Sequence, residues 1–305
     1  WFFRCLVRKV RGLVVTNHPK EQKLLRDFPE SGGKILVEPN AADLSVFSDG
    51  LTRLEARKRL DLPLEGKIIV YTGHLYSWKG VDTLAEAASQ LSFGQQVYVV
   101  GGTEEDVARY KAKWGSVKSL HIVGHRPHKE MPLWQRAADV LVVPNTAREH
   151  ISLEDTSPMK LFEYLASGTP VVASNIPSIK ELVGENTEMV QLVTPDDARS
   201  LAEGLKDACS TPQTSEHRER IRAFAALHTW ERRAKRITEW FSSLPDTSES
   251  YRHERNIFFA SLSMSVVFLL AFIVSYGIHP PLTTVASDGY IPLAISLYEH
   301  HAFTY

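Results

Sequence analysis

Cysteine is scarce: the 305 residues hold two, Cys5 and Cys209. That is too few for a disulfide scaffold and suits a main body facing a reducing, cytoplasmic compartment. An excess of charge of one sign is also missing, with 35 Lys and Arg against 36 Asp and Glu, a formal net charge of −1 and a pI near 6.9. A uniformly basic surface is thereby excluded, and nucleic acid with it as a default partner. The chain shows no internal repeat and no low-complexity tract. No G-x-G-x-x-G follows any apolar run, so a dinucleotide cofactor has no support, and "GHLYSWKG" (73–80) lacks the Gly-Lys-Ser/Thr order of a phosphate-binding P-loop. The sequence opens at Trp1 without an initiator Met and stops at "EHHAFTY" without a closing polar tail, so it reads as a piece of a longer protein. What is present, 43% hydrophobic and 23% charged residues, can bury a core in one large or two ordinary domains.

Long hydrophobic runs are absent but for one. "NIFFASLSMSVVFLLAFIVSYGI", Asn256 to Ile278, runs 23 residues without a formal charge. A bilayer needs about 20, and the scattered Ser and Asn form no polar face, so the run reads as a transmembrane helix rather than a buried core helix. Its place far from the N-terminus excludes a signal peptide. Arg252, His253 and Arg255 precede it and no Lys or Arg follows, so the positive-inside rule puts residues 1–255 in the cytoplasm and 279–305 outside. The expected location is the cell membrane, with membrane lipid as a partner and 246–255 as a basic linker.

Between the termini, short β-branched runs alternate with amphipathic stretches: "KIIVYTG", "VDTLAEAASQL", "QVYVVGG", "TEEDVARYKAKW", "LHIVGH", "EMPLWQRAA", "DVLVVPN", "PVVAS". Continuous apolar strands alternating with helices predict an α/β fold with a doubly wound parallel sheet, covered on both faces. Such folds place ligands beyond the carboxyl ends of the strands. The loops to inspect are therefore those at Gly73, at Gly101 and Gly102, at Gly124, and at Pro144 and Asn145.

"SPMKLFEYLASGTPVVAS" (157–174) has the marks of a helix aimed at an anion. Ser157 suits the N-cap and Pro158 the first helical position. Lys160 stands where a capping box would need Glu or Gln, so the amides of Met159 and Lys160 are predicted to stay open to a phosphate. Met159, Leu161, Phe162, Leu165 and Ala166 form the apolar stripe, and Gly168 and Pro170 end the helix. Glu163 falls at the stripe's edge, one turn in. It could accept ribose hydroxyls from a bound nucleotide, or form an ordinary surface pair with Lys160.

Four motifs, "VEPNAADLSVF", "YTGHLYSWKGVDTL", "GHRP" followed by "AADVLVVPN", and "SPMKLFEYLASGTPVVAS", stand in the order found in the retaining GT-B glycosyltransferases of family 4. The chain resembles their C-terminal, nucleotide-sugar-binding domain over about residues 12–241. The resemblance implies that 1–45 is the last segment of the N-terminal domain and 46–245 the donor-binding domain with its closing helix, "HTWERRAKRITEWFSSL". It implies a pair of acids at the donor: the first position, Asp155, is shorter than the family's acid and is preceded by Glu154, so either of the two could face the sugar, and Glu163 is at the ribose. It makes Lys79 the cation that neutralises the departing diphosphate, with Gly73 and His74 beside it. Here His74 replaces the family's frequent Arg, which leaves more of the charge to Lys79 and to the helix start at Ser157, Pro158, Met159 and Lys160. Gly124, His125 and Arg126 match the segment along the nucleobase. His121, His125 and His128 straddle a strand end and a turn with no Cys or carboxylate at ligand spacing, so no metal and no cofactor is expected.

The resulting expectation is a membrane-tethered glycosyltransferase that moves a sugar from a UDP- or GDP-linked donor, with retention, in envelope glycan or glycolipid synthesis. In that family the acceptor site and its base lie in the N-terminal domain, so this piece is expected to bind donor without turnover. Two rivals are a nucleotide-sugar epimerase of the same fold and a non-catalytic donor-sensing module. The closing helix, with its excess of Arg, could also rest on anionic lipid headgroups. Finally, "SDGYIPLAISLYEHHAFTY" (287–305) weakly resembles the first external loop of multi-span GT-C glycosyltransferases, which implies a second catalytic base at Asp288; the alternative is an Asp that caps a helix beginning near Tyr290.

Overall fold

β-branched runs without polar interruptions form strands only where both faces are covered, and that is how the central sheet is built. The structure, a computed structural model, describes residues 2–47, 50–155 and 157–245, leaving aside the side chains of Phe2 and Asp155. The chain starts with α1 (Phe2–Lys9), β1 (Leu13–Val15), α2 (His18–Asp27) and β2 (Ile35–Val37), the two strands pairing in parallel. After α3 (Arg53–Arg59) come β3 (Lys67–Thr72), α4 (Val81–Ala88), β4 (Gln95–Val100), α5 (Glu104–Trp114), β5 (Leu120–Gly124), α6 (Met131–Ala137) and β6 (Val140–Val143). Then follow α7 (Met159–Ser167), β7 (Val171–Ser174), α8 (Pro177–Val183), β8 (Val190–Val193), α9 (Ala198–Ser210), α10 (Ser215–Ala225) and α11 (Trp230–Ser243).

The main sheet has the order β5-β4-β3-β6-β7-β8, all parallel. Winding outward in both directions from β3 and β6 is the doubly wound arrangement expected of the sequence. Side chains of period two separate two cores: Ile68, Val70, Leu141 and Val143 face the side of α6 and α7, while Ile69, Tyr71, Val140 and Val142 face the side of α4 and α9. Behind the sheet Asp139 accepts hydrogen bonds from Arg57, Arg53 and the Ile68 amide, which ties the start of β6 to that of β3.

Residues 1–244 form one compact unit. The reason lies in α11, which returns to the first strands. Arg236 binds both oxygens of the buried Glu38 carboxylate at 2.6–3.0 Å, Arg233 donates to the Pro39 carbonyl at 2.8 Å, and Ala42 pairs with the His228–Thr229 segment. Two of the cations expected to be available for lipid headgroups are thus spent on the protein itself. Among the described residues no helix is long and apolar enough to cross a membrane. The expected span at 256–278, the linker 246–255 and Asp288 lie outside the described residues.

Candidate functional site

The strand order reverses between β3 and β6, and the crevice beyond their carboxyl ends is where such sheets take ligands. Two glycines let the backbone close in there. Gly73, with φ +128°, follows β3, and a Cβ on it would lie 2.2 Å from Nζ of Lys160, so only glycine lets that side chain lie across the strand end. Gly80, with φ +68°, would drive a Cβ to 1.8 Å from the Pro144 carbonyl oxygen. The turn Ser77–Lys79 is therefore seated directly on the loop after β6.

Two lysines converge on this crevice. Lys160 donates from Nζ to the Tyr71 hydroxyl at 2.9 Å and lies 4.1 Å from that ring's centre, while the hydroxyl donates to the His74 carbonyl at 2.6 Å. The Lys160 stem is half-exposed, yet its ammonium is packed among protein; burial, and then the charge of Lys79, hold its pKa well below the ordinary lysine value, with Glu163 opposing. Lys79 rests its ammonium 3.5 Å over the Trp78 ring, and burial lowers its pKa to about 8. Neither lysine pairs with a carboxylate among the described residues. Two under-solvated cations near each other are relieved by an anion placed between them. His74 lies beside them, stacked on Tyr76 at 5.0 Å, and its pKa is lowered by burial and by the charges of Lys160 and Lys79. That shift favours the neutral imidazole, which brings a hydrogen bond rather than charge.

Helix α7 supplies the rest, with one correction. Ser157 does not cap it: its hydroxyl accepts from the Asn40 amide at 3.3 Å, its carbonyl accepts from the Asn40 side chain at 3.1 Å, and the helix begins at Met159 with Pro158 at the N-cap and no side-chain cap at all. The asparagine of the hinge segment "VEPNAADLSVF" thus holds the serine away from the helix it was expected to cap. The absence of any side-chain cap leaves the positive end of α7 free of a competing acceptor, which favours an anion there more than the predicted cap would. Met159, placed on the apolar stripe by periodicity, is 44% exposed at the crevice, whereas Leu161, Phe162, Leu165 and Ala166 are buried. Gly168 ends the helix in the left-handed conformation, as its sequence position foretold.

Glu163 is not a surface residue. It is half-buried, and burial raises its pKa, opposed by His128, Gln135 and Lys160; among the described residues its side chain accepts one hydrogen bond, a long 3.4 Å from Gln135. The carboxylate forms part of the wall of a cavity of about 670 Å³ between α6, α7 and the hinge, with His128, Met131, Phe47 and Trp230 around it. That volume suits a nucleoside. The surface-pair reading of Glu163 needs a salt bridge to Lys160, and none forms among the described residues.

The remaining expected residues divide. Gly124 ends β5, but His125 and Arg126 are exposed and Arg126 only donates to its neighbour's carbonyl, so the cavity wall on this side is built instead by His128. Glu154 and Asp155 lie in a single π-helical turn, Ile151–Asp155. Glu154 is 3.4 Å from the His150 ring; the side chain of Asp155 lies outside what the structure describes. His121 hydrogen-bonds Gln96 at 2.6 Å and stacks on Tyr98. Sequence reasoning missed Gln135, Thr146 and Asp196; none belongs to a local motif, and only the fold brings them to the crevice.

Comparison with known proteins agrees with this geometry. Residues 66–211 match the family model of the group 1 glycosyl transferases. The D-inositol 3-phosphate glycosyltransferase of Corynebacterium urealyticum is 27% identical over 262 residues, 80% of this chain and 59% of that protein. The putative teichuronic acid biosynthesis glycosyltransferase TuaC of Bacillus subtilis is 31% identical over 188 residues, 61% of this chain and 43% of that one. Anabaena HepE, solved in complex with UDP-glucose, superposes with a TM-score of 0.63 at 21% identity over 79% of this chain and 66% of its own, which is a likeness of fold. The chain spans about 43–59% of the length of these two curated relatives. Residues 66–211 are thus similar in sequence to the group 1 glycosyl transferases, and the chain shares its fold with a neighbour solved with a nucleotide sugar.

Proposed function

We propose that this domain binds a nucleoside diphosphate sugar and presents it for glycosyl transfer in glycan or glycolipid synthesis. The observation that carries the reading is Lys160 laid over Gly73 at the switch point and within reach of the charge of Lys79, with Glu163 one turn along α7. The lysines and the positive end of α7 suit the diphosphate, whose charge grows as the bond to the sugar breaks. Glu163 suits the two ribose hydroxyls, since its desolvated carboxylate has acceptor capacity that Gln135 leaves unused. Relatives named for glycosyl transfer, and the fold neighbour solved with UDP-glucose, support UDP as the first donor nucleotide to test. Retention, and Asp155 or Glu154 as the acid facing the donor sugar, come from the family resemblance. Calorimetric titration of the chain with UDP, GDP, uridine and guanosine tests the donor reading: a diphosphate should bind much more tightly than its nucleoside, and equal affinities would remove the reading. An epimerase would bind the same nucleotide, so incubating the full-length parent protein with labelled UDP-glucose and a membrane extract separates transfer to an acceptor from interconversion of free nucleotide sugars.

The membrane placement belongs to the same proposal. The apolar run 256–278 with its basic flank supports a span that keeps residues 1–255 on the cytoplasmic side, and Asp288 would then lie outside, where a carboxylate can serve a second, lipid-linked transfer. Release of the protein from membranes by alkaline carbonate would contradict the span.

A further inference from the structure

The loop after β8 holds a residue with no place in the motifs above. Asp196 has φ +58°, the left-handed region, shared among described non-glycine residues only by Asp61. Glycine would adopt this conformation more easily, so the carboxylate must return something. It does so past the end of β7: one oxygen accepts a short hydrogen bond from the Thr146 hydroxyl, the other accepts from the Ala147 amide at 2.8 Å, and Arg148 stands 3.8 Å away. Thr146 is 5% exposed and links in turn to the β3 side, its amide donating to the Trp78 carbonyl at 3.2 Å while its hydroxyl accepts from the Arg148 amide at 3.1 Å. The carboxylate thus holds one loop directly and a second through it. The first runs on from β6 toward Glu154 and Asp155; the second is the turn that carries Lys79 and, through Gly80, sits on Pro144.

We propose that Asp196 is a positioning residue of the donor site, holding the loop after β6, and through the Thr146 backbone the Lys79 turn seated on it, so that both meet the nucleotide sugar in one geometry. The ligand rests on the function proposed above; the clamp between the loops does not.

Two substitutions at the same position separate positioning from mere folding. Asp196→Gly removes the carboxylate and eases the backbone, so the fold loses no conformational support; Asp196→Asn keeps tolerance of the left-handed region and one acceptor oxygen. In the 305-residue chain, amide hydrogen exchange at 77–80 and 146–147 should quicken about tenfold in Asp196→Gly, and the Kd for UDP should rise about tenfold, with the thermal midpoint lowered by no more than a few degrees. Asp196→Asn should stay within roughly threefold of the wild type in both. Unchanged exchange at the two loops overturns the proposal, as does a loosened pair of loops that binds UDP with unaltered affinity. If the wild type binds neither UDP nor GDP while Asp196→Gly still loosens both loops, the donor reading fails and the clamp stands.

Discussion

An ammonium with a pKa near 8 is an unusual choice for a permanent charge, and Lys79 owes it to burial against Trp78. A bound diphosphate would raise that value by favouring the protonated form. Below about pH 8 the Lys79 charge is present before and after binding, so this group adds no pH dependence there. Above it, binding must recruit a proton, and the Kd for UDP should rise by up to about tenfold per pH unit until the pKa of the complex is reached. Uridine, which lacks the diphosphate, should show no such rise; parallel calorimetric titrations between about pH 7 and about pH 9.5 check it. Lys79→Ala should weaken UDP by about 1.5–3 kcal/mol, roughly 10- to 150-fold, and uridine little, and equal losses would count against the diphosphate role. Glu163→Gln should weaken UDP about tenfold with near-unchanged thermal stability, and it should erase the preference for UDP over 2′-deoxy-UDP. A preference that survives the substitution would take the ribose away from Glu163.

At the scale of elements, α7 and α11 show what local sequence can and cannot say. The strands and helices from Lys67 to Ser174 were legible because buried parallel strands are continuous apolar runs and their helices are amphipathic, two patterns that do not overlap. Gly168 as helix terminator was legible for the same local reason. The capping of α7 was not, because Ser157 is claimed by Asn40, 117 residues away in sequence. The role of α11 was half legible: its basic face was plain, but that Arg236 and Arg233 turn inward to Glu38 and Pro39 depends on a tertiary contact across 198 and 194 residues. Glu38 is 4% exposed, so Arg236→Leu would strand a buried carboxylate and should cost about 2–3 kcal/mol of stability. Adding Glu38→Leu should recover most of that loss, since an apolar pair needs no counter-charge. Thermal unfolding of the two variants checks this, and a double variant as unstable as the single one would show that the ion pair is not what holds α11 in place.

For the molecule as a whole, the doubly wound sheet explains why residues from three separate loops form one site. Reversal of strand order between β3 and β6 opens a crevice that no single motif describes, and the loops after β3, β6 and β8, together with the start of α7, close around it. The central claim is that this crevice takes a nucleoside diphosphate. The most direct measurement is a crystal structure of the chain soaked with UDP and, separately, with GDP. The account expects the diphosphate between Lys79 and Lys160 with oxygens within about 3.2 Å of both ammonium groups, the ribose hydroxyls on Glu163, and the base in the cavity beside His128. A nucleotide bound elsewhere on the chain, or one whose ribose and diphosphate avoid Glu163 and both lysines, would contradict it.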